Sequence, residues 1–292
     1  MAMFRRGEPR VRPVRHGAEA VALRLALRDP LRHALPGARL AELRGTASLP
    51  QEFSLVGPDA EPTGLLWHGV NIAPMAQDPA VLDELATAVL SMRRRASSIV
   101  GERSAVARIW RTLAPAWAPA VREYRWSQPL LVAAADAGQP PVLDARAGEG
   151  PGLRPARPEE AEAVYHHAVA MFREEVGTDP TSFDGGRAYW ARVRSLIGAG
   201  RTYIVVRDEQ IIFKADVGAV FGPVAQIHGV WVPPAHRGRG VARSAMADLV
   251  AQVRRDHAPQ VSLYVNDFNV PARRAYAAAG FVQAGELTTI LF

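Results

Sequence analysis

Cysteine is absent from the 292 residues. Within this chain that excludes disulfides, thiolate metal sites and a cysteine nucleophile, and it agrees with the cytoplasmic setting expected here. Long apolar runs are missing too. A membrane-spanning helix needs about 18–20 uninterrupted apolar residues, and the longest stretches, such as 129–135, fall far short. No apolar segment follows the basic start Met1-Ala2-Met3-Phe4-Arg5-Arg6, so no secretory leader and no membrane partner are expected. Lysine is almost missing: Lys214 stands alone against 34 arginines. A bias of that size points to GC-rich codon usage rather than to nucleic-acid binding, and neither zinc-finger spacing nor an RNA-binding aromatic motif is present. The eight histidines form no two-His motif with an acidic partner, so no metal site is expected.

What remains is an ordinary globular composition. With 48% apolar and 22% charged residues the chain can bury a sizeable core. Its length suits about one to two domains. The net charge of +6 is unevenly spread: residues 1–50 carry +6, residues 51–150 carry −2 and residues 151–292 carry +2. The first fifty residues therefore present a solvated arginine surface.

Proline and glycine are densest between Ala137 and Pro158, which reads as an interdomain connection. The expected organisation is a first domain over 1–140, a linker over 141–151 and a second domain over 152–292. The two halves echo each other at their starts. Val11-Arg12-Pro13 precedes Glu19-Ala20-Val21, and Leu153-Arg154-Pro155 precedes Glu162-Ala163-Val164. Both read as a short strand running into a helix, and a strand bearing proline belongs at a sheet edge because it lacks a ladder N–H.

In the second half the pattern predicts helices over 158–175, 187–197, 240–257 and 270–279. It predicts strands over 202–207, 210–220, 225–232 and 261–265, with a closing hairpin over 281–292. In the first half, a hairpin is expected over 52–56 and 64–72, helices over 79–95 and 103–113, and strands over 97–100 and 129–134. The order is alike in both halves. The expected class is α/β (α+β), two tandem halves each built on a mixed, mostly antiparallel sheet flanked by helices.

The segment richest in chemistry is Gln226-Ile-His-Gly-Val-Trp-Val-Pro-Pro-Ala-His-Arg-Gly-Arg-Gly-Val-Ala242. An apolar strand meets a glycine-rich turn and then a helix. The first N–H groups of a helix lack acceptors, the dipole adds partial positive charge there, and glycines let an anion approach the backbone. Neither the P-loop nor the dinucleotide-binding spacing fits. The pattern is Arg-x-x-Gly-x-Ala, carried by Arg237, Gly240 and Ala242. Downstream stands Asn-x-x-Ala-x-x-x-Tyr-x-x-x-Gly-Phe, carried by Asn269, Ala272, Tyr276, Gly280 and Phe281.

Together these motifs resemble the GNAT (Gcn5-related) N-acetyltransferase family over about 153–292. Met171-Phe-Arg-Glu-Glu-Val-Gly177, Phe213-Lys214-Ala215 and Leu263-Tyr-Val-Asn-Asp267 are similar to two-domain members typical of actinobacteria, in which a poorly characterised N-terminal domain precedes the GNAT domain. The resemblance implies acetyl-CoA as co-substrate and an amine acceptor, either a small molecule or a protein amine. A homodimer is compatible with it. In the first half Asn71-Ile-Ala-Pro-Met-Ala-Gln-Asp78 stands where the glycine loop would be, so that half is expected to be a degenerate copy without acyl-CoA.

By the same resemblance, backbone N–H groups of Arg237, Gly238, Arg239, Gly240, Val241 and Ala242 hold the pyrophosphate. Val230 and Val232 pair with the pantetheine arm, and a strand N–H near Val230 meets the oxyanion. Trp231 has the opposite parity and is expected in the core. Asn269 either contacts the cofactor or caps the helix that follows. Tyr276 is the expected general acid, since a phenol within reach can protonate the departing thiolate. The base is open. Many family members place a glutamate where Gln226 stands, and an amide is no base. His228 shares its parity and has an ordinary pKa near neutrality; Glu174 and Glu175 end the preceding helix. An alternative to catalysis is an acyl-CoA-binding regulator whose first half contacts a partner.

Overall fold

The computed structural model describes residues 11–58, 61–138, 152–182 and 184–292. The expected linker over 141–151 lies outside them. The chain divides into two compact units: one holds Met1–Leu130 with Ala284–Phe292, the other Leu131–Gln283.

The first unit opens with β1 (Val11–Pro13), α1 (Glu19–Ala26), α2 (Ala34–Glu42) and the short α3 (Leu49–Glu52). Then follow β2 (Phe53–Val56), β3 (Gly64–His68), β4 (Asn71–Met75), α4 (Pro79–Ser91), β5 (Ser98–Glu102), α5 (Arg103–Trp117) and β6 (Glu123–Ala133), of which the part up to Leu130 belongs to this unit. β1, β2, β3 and β4 pair antiparallel in sequence, and β4 pairs parallel with β5. Pro13 in β1 sits at the sheet edge. The core lies between this sheet and α4 and α5, around Leu66, Leu85, Ile99, Ile109 and Leu113, each with no exposed surface.

In the second unit come β7 (Arg154–Pro155), α6 (Ala161–Val176), α7 (Arg187–Gly198), β8 (Thr202–Arg207), β9 (Gln210–Phe221), β10 (Val224–Trp231), α8 (Val241–Asp256), β11 (Gln260–Tyr264) and α9 (Val270–Ala278). β7, β8, β9 and β10 again pair antiparallel in sequence, and β10 pairs parallel with β11. Two cores face opposite sides. One packs α8 onto the sheet through Met246, Leu249 and Val250 against Ala225, Ile227 and Val261. The other packs α6 and α7 through Val164, Val193 and Ile197 against Ile204 and Ile211. The Arg254 guanidinium on α8 donates to the carbonyls of Ala133 (3.1 Å) and Ala134 (2.6 Å) and fastens the start of this unit to its helix.

The mixed sheet flanked by helices agrees with the expected class. Four local expectations need correction. The segment over 64–72 is not one strand: the chain turns at Gly69-Val70 between β3 and β4, which pair antiparallel. The closing segment is one strand, β12 (Phe281–Leu291), not a hairpin. Within the first unit its last residues pair antiparallel with β5 from Leu287↔Glu102 to Leu291↔Ser98, and Thr288 Oγ1 donates to the Trp126 carbonyl at 2.6 Å. Gly285 marks a close approach of Arg32, 3.4 Å from where a Cβ would stand, rather than a turn. Helix α4 ends at Ser91, short of 95, because Met92 turns extended with ψ 148°. Helix α5 continues past Pro115 to Trp117, since its buried stripe of Ile109, Trp110, Leu113 and Trp117 holds the last turn.

Candidate active site

The site forms where β10 hands over to α8 within the second unit. β10 pairs with β11 only from Val224 to Gln226, and its remaining residues have no partner in that ladder. On the β9 side the register slips between His228 and Trp231. The slip is a bulge at Gly229, whose φ of +57° favours glycine. The two parallel strands therefore separate along the last residues of β10, and Val230 and Val232 line the cavity they leave.

After Val232 a single 3-10 turn over Pro234–His236 leads to Arg237. Gly240 precedes α8 with φ +77° and provides no side-chain cap. A Cβ at Gly238 or Gly240 would meet nothing within 4 Å. Backbone conformation, not crowding, thus requires glycine at Gly240, and the helix start at 240–243 lines the cavity with no side-chain cap on its leading N–H groups. They are uncompensated donors at the positive end of the dipole.

Arg237 holds this loop. Its Nε donates to the Val232 carbonyl at 2.9 Å, and its Nη2 donates to Glu174 Oε2 at 3.1 Å. Its Nη1 lies 2.9 Å from Glu174 Oε1. The guanidinium also stacks 4.7 Å above the Trp231 ring. A bidentate pair with a planar stack fixes an arginine far better than a single contact. The end of α6 is tied to the loop, and the Arg237 side chain is already engaged when a ligand arrives.

The cavity holds about 410 Å³. It is walled by Val230, Trp231 and Val232, by the loop and helix start at Arg237, Gly238 and 240–243, and by Glu174, Glu175, Asn269 and Tyr276. Asn269 caps α9, its Oδ1 accepting from the Ala272 N–H at 3.2 Å, and it also lines the cavity. Tyr276 is 7% exposed. Burial raises its phenol pKa, and the negative charge of Glu175 raises it further. The hydroxyl stays protonated throughout the physiological range.

Not every candidate reaches the cavity. Arg239 does not line it, nor does His228. The His228 Nε2–H donates to Gln226 Oε1 at 2.8 Å, and Nδ1 faces Gly218, where a Cβ would come within 2.2 Å of it. Burial, with the positive charge of Arg192, depresses its pKa to about 4. His228 belongs instead to a polar group on the α6–α7 face. There the wholly buried Lys214 pairs with Asp216, and Thr202 Oγ1 donates to Asp216 Oδ1 at 2.8 Å. Trp231 is 5% exposed, as its parity demands, yet its ring also forms part of the cavity wall and its Nε1–H has no partner. Sequence reasoning missed Arg243 at the rim and the Glu174–Arg237 pair. Arg243 falls one position past the motif, and the pair joins residues 63 apart.

Among the described residues no group of three or more His, Asp or Glu could hold a metal ion, and no helix is long and apolar enough to cross a membrane.

Residues 157–281 match the model of the acetyltransferase (GNAT) family, and residues 53–164 match that of a domain of unknown function, DUF4081. Among solved structures, a GNAT-family acetyltransferase from Colwellia psychrerythraea is 12% identical over 97% of this chain and 99% of its own, with a TM-score of 0.60. A GCN5-related N-acetyltransferase from Sphaerobacter thermophilus is 19% identical over 96% and 94%, with a TM-score of 0.59. A Drosophila protein is 13% identical over 97% and 98%, with a TM-score of 0.66. At these identities the likeness is one of fold. No curated protein matches the chain.

Proposed function

We propose that the chain, whose residues 157–281 match the GNAT acetyltransferase family, transfers acetyl from acetyl-CoA to a primary amine by direct attack in a ternary complex. One observation carries the reading: a single cavity joins an uncapped helix N-terminus at Gly240 to a buried, protonated Tyr276. Acetyl-CoA supplies the activated acyl thioester. The N–H groups from Arg237 to Ala242, Arg239 included, take its pyrophosphate, with Arg243 adding a cation at the rim. The loop suits such an anion because Gly238 and Gly240 leave open space where a Cβ would stand. Val230 and Val232 offer backbone groups to the pantetheine arm in the manner of an added strand. A strand N–H near Val230 meets the oxyanion.

Glu175 is the base we favour over His228. It shares the cavity with Tyr276, whereas His228 lies outside it with its N–H bound to Gln226. Glu175 accepts the proton of the attacking amine and Tyr276 donates its own to the departing thiolate, so the pair divides base and acid work. Glu174 is committed to Arg237. The acceptor is a small-molecule or protein amine. The first unit is a degenerate copy of the fold that carries no acyl-CoA.

A non-catalytic acyl-CoA-binding regulator is the second reading, favoured by Gln226, an amide where a base is common. Calorimetric titration with acetyl-CoA, beside Gly240→Glu, tests the site. One binding event per chain, lost in the variant, is expected; no binding overturns both readings. Acetyl transfer across an amine panel then separates enzyme from regulator.

A further inference from the structure

The first unit has its own cavity, of about 360 Å³. It lies where α4 ends, and its polar lining comes from Arg93, Arg94, Arg95, His68 and Gln51, with Trp117 as an apolar wall. No aspartate or glutamate lines it among the described residues.

The three arginines differ from five others in the unit that are paired. Arg32, Arg39, Arg103, Arg108 and Arg125 in the same unit each meet a carboxylate. Arg93, Arg94 and Arg95 meet none among the described residues. Arg94 is nonetheless oriented: its guanidinium lies 4.7 Å over the Phe292 ring, and its Nη1 donates to the Ala96 carbonyl at 3.4 Å. Phe292 packs edge-on against Trp117 at 5.7 Å, so the stack and the wall are continuous. The nearby carboxylate of Glu52 is committed, accepting from Arg39 Nη2 at 2.5 Å and from Trp67 Nε1 at 3.0 Å.

Three guanidiniums that line one cavity with no carboxylate in its lining repel one another. A monovalent ion paired with one exposed arginine gains little. A ligand with two or more charges and several acceptor oxygens meets the fork geometry of more than one guanidinium at once. We propose that this cavity binds a small polyanion of the phosphate class, whose organic part rests against Trp117. A small ligand fits better than an extended nucleic acid. The charges sit in a concavity rather than along a stripe, and the exposed stacked pair Tyr124 and Trp126 does not line it.

The test is calorimetric titration of the full chain with inorganic pyrophosphate at low salt. A Gly240→Glu background keeps the glycine loop from being counted. One saturable site per chain is expected, weakening at least tenfold in Arg93→Gln/Arg94→Gln/Arg95→Gln. Each single arginine variant should lose about threefold, which keeps the proposal testable if the triple variant misfolds. Absence of saturable binding overturns it, as does binding that the arginine variants leave unchanged. A single-stranded oligonucleotide that binds through the same arginines more tightly than pyrophosphate would also overturn it, assigning the surface to nucleic acid.

Discussion

Both units place four antiparallel strands in sequence and then cross, through one helix, to a parallel fifth: β1 to β5 around α4, and β7 to β11 around α8. They part at the first turn of that helix. In the first unit Asp78 caps α4, its carboxylate accepting from the Ala80 N–H at 2.8 Å. In the second unit Gly240 precedes α8 and caps nothing. The same backbone position is satisfied from within in one case and left open in the other. An anion site at a helix start thus depends on which groups are withheld from it: a capping oxygen removes the donors that a phosphate would use. The strands differ likewise. β10 bulges at Gly229 and leaves β11 early, whereas β4 carries Pro74 and no bulge appears between it and β3.

The strongest way to break this contrast is to give the second unit the first unit's residue. Gly240→Asp places a carboxylate at the start of α8. We expect acetyl-CoA affinity to fall at least about 100-fold by calorimetry, because the charge opposes a phosphate where the dipole had favoured it. The melting temperature should fall modestly, because the left-handed backbone at this position disfavours any side chain. Unchanged affinity would mean that the open helix start is not the anion site.

Tyr276→Phe separates binding from chemistry. Turnover should fall about 100-fold, within the range usual for a lost proton donor, while acetyl-CoA affinity stays within about threefold. Equal losses in both would make Tyr276 a packing residue. Glu175→Gln should remove the acidic limb of the pH–rate profile, and His228→Ala should leave that limb in place.

His228 offers a stability test confined to the second unit. Its folded pKa of about 4 lies below the ordinary value of 6.5. Between those values the unfolded chain binds a proton that the folded chain does not, so stability falls as pH drops from about 6.5 to 4. The full shift corresponds to about 3 kcal/mol at most. His228→Gln should flatten this part of the acid-unfolding curve. An unaltered slope would place the cause elsewhere, for example at His68 in the first unit, which burial also depresses.

Gly229→Ala sharpens the second difference. The position has φ +57°, and a Cβ there would stand 3.1 Å from both Asp216 Oδ2 and Lys214 Nζ. We expect a loss of about 1–2 kcal/mol in urea unfolding. Turnover should drop as well, since the bulge sets the direction of Val230. A neutral outcome would detach the bulge from the cavity.

These contrasts also explain what sequence could and could not reveal. The glycine loop, Asn269 and Tyr276 are legible because each lies at a fixed spacing along one stretch of chain. α8 is equally legible, its apolar stripe being regular. α1 to α3 are harder to read, because Pro36 and Gly37 interrupt α2 and the turns between them carry no period. The closing segment over 281–292 read as a hairpin because a glycine that admits a neighbouring side chain, as Gly285 does, looks no different in sequence from one that bends the chain. The Trp231 contribution to the cavity wall and the Arg237–Glu174 pair depend on how α6 meets the loop, which strand parity does not describe.

Removing the cap from the first unit is the mildest test and the most discriminating. Asp78→Ala deletes the carboxylate that serves the Ala80 N–H, which should cost about 1 kcal/mol of stability. The open donors alone would then resemble those of α8. We nevertheless expect acetyl-CoA to bind once per chain, as in the parent. Pro79 at the first helical position has no N–H to contribute. No glycine replaces the side chains of Ala76 and Gln77, so the backbone stays covered where Gly238 leaves its counterpart bare. A second binding event in this variant would mean that the cap by itself keeps the first unit silent. A single event would mean that the anion site needs the bare loop as well as the open helix, and that the first unit lacks both.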